Sequence, residues 1–308
     1  MIPLSIAADL MEEAVLLAER QAERDVARAF RRERDRIYEV TEPELREARF
    51  RSLHQRWFVR FGLQARVEAT VNEYAEFAGR LTGGRIVRAI ARSEEGADLL
   101  DPVREHAGPG PLLVLRLRPA SLVEPDTLQA LLRHELMHVA DMLDPTFGYE
   151  RKLPPADDGP SADNMLRDRY RVVWDVTIDG RLARAGRGSA GTRDARCREF
   201  RDAFPVLGDG CWSAFARWWN EPCPTHADLV AFARLPAGTD EGLAARRCPI
   251  CRFPVASLDG RVSTLGGPVL TAIRAEHPVW RVEQGLCPQC FDLYEARHGH
   301  NCDGKIYR

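Results

Sequence analysis

Towards the middle of the chain lies the run Leu131-Leu132-Arg133-His134-Glu135-Leu136-Met137-His138-Val139-Ala140-Asp141, which sets an HExxH sequence in an apolar segment. Residues four apart share one face of an α-helix, so His134 and His138 can present two imidazoles to one metal ion. Glu135 then lies beside the open coordination position. Zinc lowers the pKa of a bound water to about 7, and a neighbouring carboxylate can accept the proton as the water attacks a carbonyl carbon. The pattern therefore predicts a hydrolytic zinc site.

The flanking residues predict a helix that packs on a sheet. Residues 123–127 supply a helix start, for which Asp126 is the predicted N-cap. Residues 85–91 and 112–118, which precede this helix, have the pattern of strands. The buried face of the helix is predicted to consist of Leu128, Leu131, Leu132, Met137 and Val139.

A strand followed by a helix that bears HExxH resembles the zincin metallopeptidases. This resemblance implies hydrolysis of peptide bonds by a zinc-activated water, with Glu135 as general base, His134 and His138 as zinc ligands, and a protein or peptide as substrate. It also implies an α+β, mainly helical domain, in which helices pack on a small sheet and the active-site helix carries the motif. The identity of the third zinc ligand distinguishes the branches of the family.

The segment 170–182 gives the best match for the third ligand, and it resembles the gluzincins. In that branch a second helix supplies a Glu, and an Asp four residues later binds a ligand histidine. The same spacing here joins Asp175, as third ligand, to Asp179, as the carboxylate that would fix the imidazole tautomer. Asp is one methylene shorter than Glu, so the second helix would have to lie closer to the metal. The alternative is that both acids cap the helix or pair, on a solvated face, with Arg171, Arg181 or Arg184.

Two other patterns remain open for the third ligand. A metzincin-like pattern would use Asp144, which is in register with His138, although Asp141 stands where that branch has a Gly for a sharp turn. A SprT-like pattern agrees with the domain order, but the next histidine after His138 is His226, far beyond the usual distance.

Zincins often add a tyrosine or histidine that donates to the oxyanion of the tetrahedral intermediate. Tyr149, Tyr170 and His226 are candidates by residue type alone. His226 follows Thr225 at a predicted helix start, and this favours a surface position for the imidazole. No role in catalysis is assigned to any of the three.

Near the C-terminus, two CPxC pairs form a second metal-binding signature. Cys248 and Cys251 are separated by 35 residues (252–286) from Cys287 and Cys290, and two such turns can close a tetrahedral thiolate site around a structural zinc ion. The arrangement resembles a zinc ribbon, with a hairpin expected between the pairs. From residue 246 onward the chain has nine Arg and Lys residues and six Asp and Glu residues. This excess of positive charge is too small to predict nucleic-acid binding. Contact with protein or nucleic acid is therefore left open.

The composition indicates which classes of protein the chain does not resemble. Its 308 residues are 44% hydrophobic and 29% charged, and a net charge of -2 argues against a general polyanion-binding surface. There is no apolar run near the roughly 20 residues of a membrane span, and the first residues lack the basic start of a signal peptide. Eight cysteines in such a chain are better explained as thiols and metal ligands than as disulfides, so we expect a cytoplasmic protein without a membrane partner.

These observations predict three segments and two zinc ions, one catalytic and one structural. Residues 1–82 are expected to form an N-terminal helical region that packs on the protease core, residues 83–240 the zincin-like metallopeptidase core, and residues 246–308 the zinc-ribbon-like domain. The competing hypothesis is a non-catalytic zinc-binding scaffold or interaction module that keeps the HExxH site for structure. Glu135 favours the enzyme, because a purely structural site does not need a base at that position.

Overall fold

The chain is mainly helical and contains a small mixed sheet, as the α+β prediction requires. The computed structural model describes residues 2–100, 110–156, 160–189, 191–234, 246–252, 254–255, 258 and 260–298. In this part of the chain, every helix is too short or too polar to cross a lipid bilayer. Two compact units are formed, the first from Met1–Tyr149 with Leu182–Ser189 and the second from Glu150–Arg181 with Ala190–Arg308.

The first unit contains the four-stranded sheet. Its strands are β1 (Leu4–Ile6), β2 (Gly83–Arg88), β3 (Gly96–Leu100) and β4 (Leu112–Leu117), in the spatial order β1-β2-β4-β3. Strands β1, β2 and β4 run parallel, and β3 pairs antiparallel with β4 at one edge. Strands β2 and β4 correspond to the two predicted strands. Strands β1 and β3 were not predicted, because one is very short and the other follows a glutamate pair that resembles a loop.

Six helices of the first unit share one hydrophobic core with this sheet. At its centre Phe30 packs edge-on against Trp57, with ring centroids 5.4 Å apart. His54 is buried beside these aromatic rings and stacks on Phe50, and burial lowers its pKa, while the charge of Glu12 opposes this effect. The helices are α1 (Ala8–Gln21), α2 (Arg24–Tyr38), α3 (Pro43–Arg60), α4 (Leu63–Val71), α5 (Pro119–Val123) and α6 (Pro125–Leu143).

Helix α6 carries the HExxH sequence, as predicted, but it begins two residues earlier than expected. Its N-cap is Glu124, Pro125 occupies the first helical turn, and Asp126 lies inside that turn instead of capping it. Proline is favoured there because its fixed φ suits a helix and its missing N–H would have no partner in the first turn. Helix α6 packs on α4, α5 and β3. Its fully buried apolar residues are Leu128, Leu132, Leu136 and Val139.

The second unit is built on the greater part of α7 (Pro160–Arg184), which contains the segment 170–182 in which a second helix was predicted. Gly180 does not break this helix. Instead it allows a close approach, because a Cβ at this position would lie well inside the van der Waals radius of the Trp219 carbonyl oxygen. Three further helices are α8 (Thr192–Ala203), α9 (Cys211–Asn220) and α10 (His226–Arg234). Aromatic side chains, including Phe200 and Phe215, pack among them.

The C-terminal residues contain their own hydrophobic cluster, to which Cys248, Cys287 and Cys290 belong. A two-stranded hairpin, β5 (Arg246–Arg247) with β6 (Pro254–Val255), encloses the first CPxC pair. The second pair lies at the start of α12 (Pro288–His298), and α11 (Gly267–Glu276) lies between the pairs. The prediction of a hairpin between the two pairs is therefore wrong for the described residues. The β5–β6 hairpin encloses the first pair instead, and the interval between the pairs contains a helix. Residues 299–308 of the predicted domain lie outside the described residues.

Gly180 provides a test of packing in the second unit. Replacing a glycine inside a helix with alanine normally stabilises by about 1 kcal/mol, whereas the close approach of Trp219 predicts that Gly180→Ala destabilises by about 1–3 kcal/mol. Urea unfolding followed by tryptophan fluorescence measures the difference. Gly210→Ala is the matched control, because Gly210 has a negative φ and open space around it. Equal midpoints for wild type and Gly180→Ala would contradict the close approach.

His54 predicts a pH dependence of stability. Its folded-state pKa lies below the unfolded value of about 6.5, so the unfolded chain takes up a proton first as the pH falls. The contribution of His54 to the free energy of unfolding is therefore complete above pH ~6.5 and decreases below it. His54→Phe should reduce the loss of stability between about pH 7.5 and 5.5, measured from urea midpoints. Burial also lowers the pKa of His226, so part of the slope should remain. An unchanged slope would exclude His54 as a contributor.

Candidate metal centres

The two histidines of helix α6 lie close enough to share one ion. Their Nε2 atoms are 3.3 Å apart, and their rings are steeply inclined, with centroids separated by 5.0 Å. Two imidazole nitrogens bound to one tetrahedral zinc at about 2.05 Å would lie about 3.3–3.4 Å apart. The spacing of His134 and His138 therefore already matches the separation that a bound zinc ion requires, and both side chains are only half-buried.

Glu135 is held by the edge strand of the sheet. The backbone N–H of Ala97 in β3 donates a hydrogen bond of 3.1 Å to its Oε2 atom. A Cβ on Gly96 would lie only 3.2 Å from the same oxygen, so the glycine leaves space for the carboxylate. Gly96 and Ala97 were not found by sequence reasoning, because a backbone donor and a missing side chain carry no chemical signature of their own.

Hydrogen bonds with the segment that follows α4 restrain the turn of α6 that carries the two candidate ligands. The Tyr74 hydroxyl donates to the backbone carbonyl of Arg133 at 2.7 Å, and the Arg133 guanidinium donates to both oxygens of Glu73. Burial, together with the charge of Glu73, raises the pKa of Tyr74, so the phenol stays protonated as a donor at neutral pH. Arg133 immediately precedes His134, so these bonds restrain the backbone next to that candidate ligand.

Asp175 and Asp179 are buried in α7, and both accept hydrogen bonds from an arginine of α8. Arg196 donates from Nε to Asp179 at 2.6 Å and from Nη1 to Asp175 at 3.3 Å. Arg196 Nη1 also donates to Glu199 at 2.5 Å, and Arg171 reaches both Asp175 and Glu199. The three carboxylates and two guanidinium groups joined by these contacts leave a formal charge of -1. Of the predicted pairing partners, Arg171 is confirmed, and Arg196 was missed because it lies on another helix.

Among the described residues, two groups of side chains could hold a metal ion. In the first, ligand atoms of His134, His138 and Asp175 all lie within 4.8 Å of one another. Asp144 does not belong to this group. It is exposed at the end of α6, where its carboxylate accepts hydrogen bonds from the backbone and hydroxyl of Thr146.

The three candidates for oxyanion stabilisation differ in their surroundings. Tyr170 and His226 form a pair, with the hydroxyl 2.8 Å from Nδ1 of the imidazole, and both are buried. The expectation that His226 lies at the surface is therefore wrong, because its ring packs edge-on against Tyr170 as α10 begins. Burial lowers the pKa of His226, which favours a neutral imidazole. Tyr149 is half-buried.

The second group consists of the four cysteines Cys248, Cys251, Cys287 and Cys290, whose sulfur atoms also lie within 4.8 Å of one another. The sulfurs of Cys251 and Cys287 are 3.7 Å apart, close to the separation of about 3.8 Å expected for two thiolates on a tetrahedral zinc. A disulfide would require a separation of about 2.05 Å. The pKa of Cys248 is lowered because the Cys290 thiol and nearby backbone N–H groups, including that of Cys287, donate to its sulfur. This favours the thiolate that a zinc site needs.

Both groups are compatible with zinc in the chemistry of their donors and in the distances between them. Searches against protein-family models, curated proteins and solved structures gave no match for the chain. The function must therefore be argued from the geometry of these residues.

The two groups predict two zinc ions of different character. Elemental analysis of the purified chain should give two equivalents, and His134→Ala/His138→Ala and Cys248→Ser/Cys287→Ser should each lose one. Because the thiolate site couples metal binding to folding, the cysteine variant should become sensitive to limited proteolysis from about residue 246 onward. The histidine variant should keep a resistant C-terminus. One equivalent in the wild type, or an unchanged count in the cysteine variant, would contradict the structural site.

Proposed function

We propose that the chain is a zinc-dependent metallopeptidase of the zincin type. The observation that carries this proposal is the arrangement of one helical turn, in which two imidazole nitrogens stand 3.3 Å apart and the intervening Glu135 has its carboxylate held by Ala97. A structural zinc site needs ligands alone. Glu135 is not grouped with the candidate ligands, and a carboxylate that is adjacent to the ligands but does not bind the metal would serve hydrolysis as a base.

Asp175 is the third ligand in this proposal. It is buried, and its carboxylate belongs to the same group as His134 and His138. Asp144 is less suited, since it is exposed and is engaged with Thr146. Helix α6 also continues through Asp141 to Leu143, so the sharp turn on which the metzincin-like pattern depends does not occur at Asp141.

In this proposal a bound zinc ion, Glu135 and Ala97 have different roles in hydrolysis. A bound zinc ion would supply a Lewis acid that polarises the carbonyl and lowers the pKa of water to about 7. Glu135 accepts a proton from the attacking water and returns it to the amine that leaves. The hydrogen bond from Ala97 occupies Oε2 and restricts the rotation of the carboxylate, which keeps the base in one orientation. Substrates of this chemistry are proteins or peptides.

A non-catalytic zinc scaffold is the second candidate, and one observation favours it. Arg171 and Arg196 both pair with Asp175, and such pairs also occur where carboxylates serve only the fold. This candidate gives no use to Glu135, whose replacement therefore separates the two functions. Contact with protein or nucleic acid through the C-terminal cysteine module remains a prediction from sequence under either function.

Replacement of Glu135 tests the proposed reaction. Glu135→Gln keeps the size of the side chain and removes the base, so hydrolysis of a denatured protein or a peptide mixture should fall by about 10²- to 10⁴-fold. The zinc content should remain at the wild-type value. Glu124→Gln is the matched control, because Glu124 is an exposed carboxylate at the start of the same helix and makes no side-chain cap bond. Wild-type cleavage by Glu135→Gln would exclude this mechanism.

A second variant tests the position of the base and leaves the carboxylate in place. Gly96→Ala would bring a methyl group to 3.2 Å from Oε2 of Glu135. The carboxylate must then move by a few tenths of an ångström, and the rate of hydrolysis should fall while zinc stays bound. Full activity in Gly96→Ala, together with inactive Glu135→Gln, would show that the base tolerates this displacement.

A further inference from the structure

Arg196 connects the buried acidic residues of helix α7 to helix α8. Its Nε donates to Asp179 at 2.6 Å, and its Nη1 donates to Asp175 at 3.3 Å and to Glu199 at 2.5 Å. The side chains of both aspartates are less than a tenth exposed, and that of Arg196 is about one-fifth exposed. One guanidinium group thus touches three carboxylates, two of them removed from solvent.

Arg171 makes a weaker version of the same contact. It donates to Asp175 Oδ2 at 3.1 Å and to Glu199 at 3.0 Å, but its side chain is 58% exposed. Ion pairs of exposed side chains contribute about 0–1 kcal/mol, because water screens the charges and the long side chain loses freedom. Of these two arginines, Arg196 is the less exposed and therefore the stronger partner of the buried aspartates.

The contacts of Arg196 also determine how Asp175 is oriented. Both arginines donate to the same oxygen, Oδ2, so the plane of the carboxylate is set by two donors that come from α7 and α8. Asp179 anchors Nε of the same guanidinium, which keeps Nη1 directed at Asp175. In this arrangement Asp179 acts on the third ligand through Arg196, in addition to any action on an imidazole.

We propose that Arg196 is a positioning residue that holds Asp175 in the orientation needed to bind the metal of the His134/His138 site. The inference rests on the proposed function in one respect, the use of Asp175 as third ligand. The residues that orient a metal ligand from outside its coordination shell typically affect metal affinity by about 10- to 100-fold. Arginine suits this role because its planar, rigid group of donors can reach several carboxylates at once, whereas a lysine presents a single point charge.

Zinc affinity of the full-length chain provides the test, and it is independent of activity. Competition with a chromophoric chelator should show that Arg196→Met weakens the histidine site by about 10- to 100-fold. Arg196→Lys should recover part of that loss. Arg171→Met, the matched control on the same carboxylate, should change affinity by less than about 3-fold. The four-cysteine site serves as an internal reference, and its zinc should remain bound in each variant.

Further variants distinguish the failure of this inference from the failure of the proposed function. Asp175→Ala should lose the zinc of the histidine site, and Asp144→Ala should keep it. If Asp175→Ala loses zinc while Arg196→Met retains wild-type affinity, the positioning role of Arg196 is overturned and the function stands. If Asp175→Ala keeps full affinity, the assignment of the third ligand is overturned, and with it the inference.

A loss of folding in Arg196→Met would be recognised by an altered urea midpoint. In that case Glu199→Gln tests the positioning role of Arg196. This change weakens the hydrogen bond that Nη1 of Arg196 donates to residue 199, but it leaves both aspartates and the arginine in place. Its affinity for zinc at the histidine site should fall by a smaller factor, about 3- to 10-fold, at an unchanged midpoint. An unchanged affinity in a folded Glu199→Gln variant would overturn the proposal.

Discussion

The turn of helix α6 has to meet two requirements at once, and the period of 3.6 residues allows both. Leu128, Leu132, Leu136 and Val139 lie on one face and enter the core of the first unit. His134 and His138 lie on another face and remain half-buried. Glu135, which lies between the two histidines in the sequence, accepts a hydrogen bond from Ala97 in the edge strand of the sheet. A rotation of this helix by one residue would bury an imidazole and expose a leucine, so the core fixes the orientation of the two histidines.

The aspartates of α7 show a different solution to the placement of polar groups. A carboxylate among buried valines and tryptophans is costly unless it is paired, and here the compensation comes from another helix. Such a network also has a cost, because replacing one member leaves the others buried without their partner. The same five side chains therefore stabilise the second unit and limit which substitutions it tolerates.

The sequence was informative where a pattern is repeated or chemically unusual. The HExxH helix, the helix that bears Asp175, the strands at residues 85–91 and 112–118 and the grouping of the four cysteines could all be predicted from spacing. Features that depend on contacts between distant segments could not. Arg196 is one of many arginines in the sequence, and its role follows only from the packing of α8 on the acidic turn of α7. Strand β3 is defined by its pairing with β4, and the buried position of His226 by its contact with Tyr170.

The HExxH residues meet partners at very different separations along the chain, and these separations affect the order in which the contacts form during folding. The two imidazoles are four residues apart, so they meet as soon as one turn of helix forms, and helices relax in about a microsecond or less. Glu135 receives its hydrogen bond from Ala97, 38 residues earlier, in a strand that must first pair with β4. The sheet also needs β1 to pair with β2 across about 80 residues, and such distant pairings form slowly. The nascent chain thus brings its two imidazole nitrogens together before the carboxylate of Glu135 is fixed by Ala97. Under the proposed function, a folding chain would therefore be able to bind metal before it could hydrolyse a substrate.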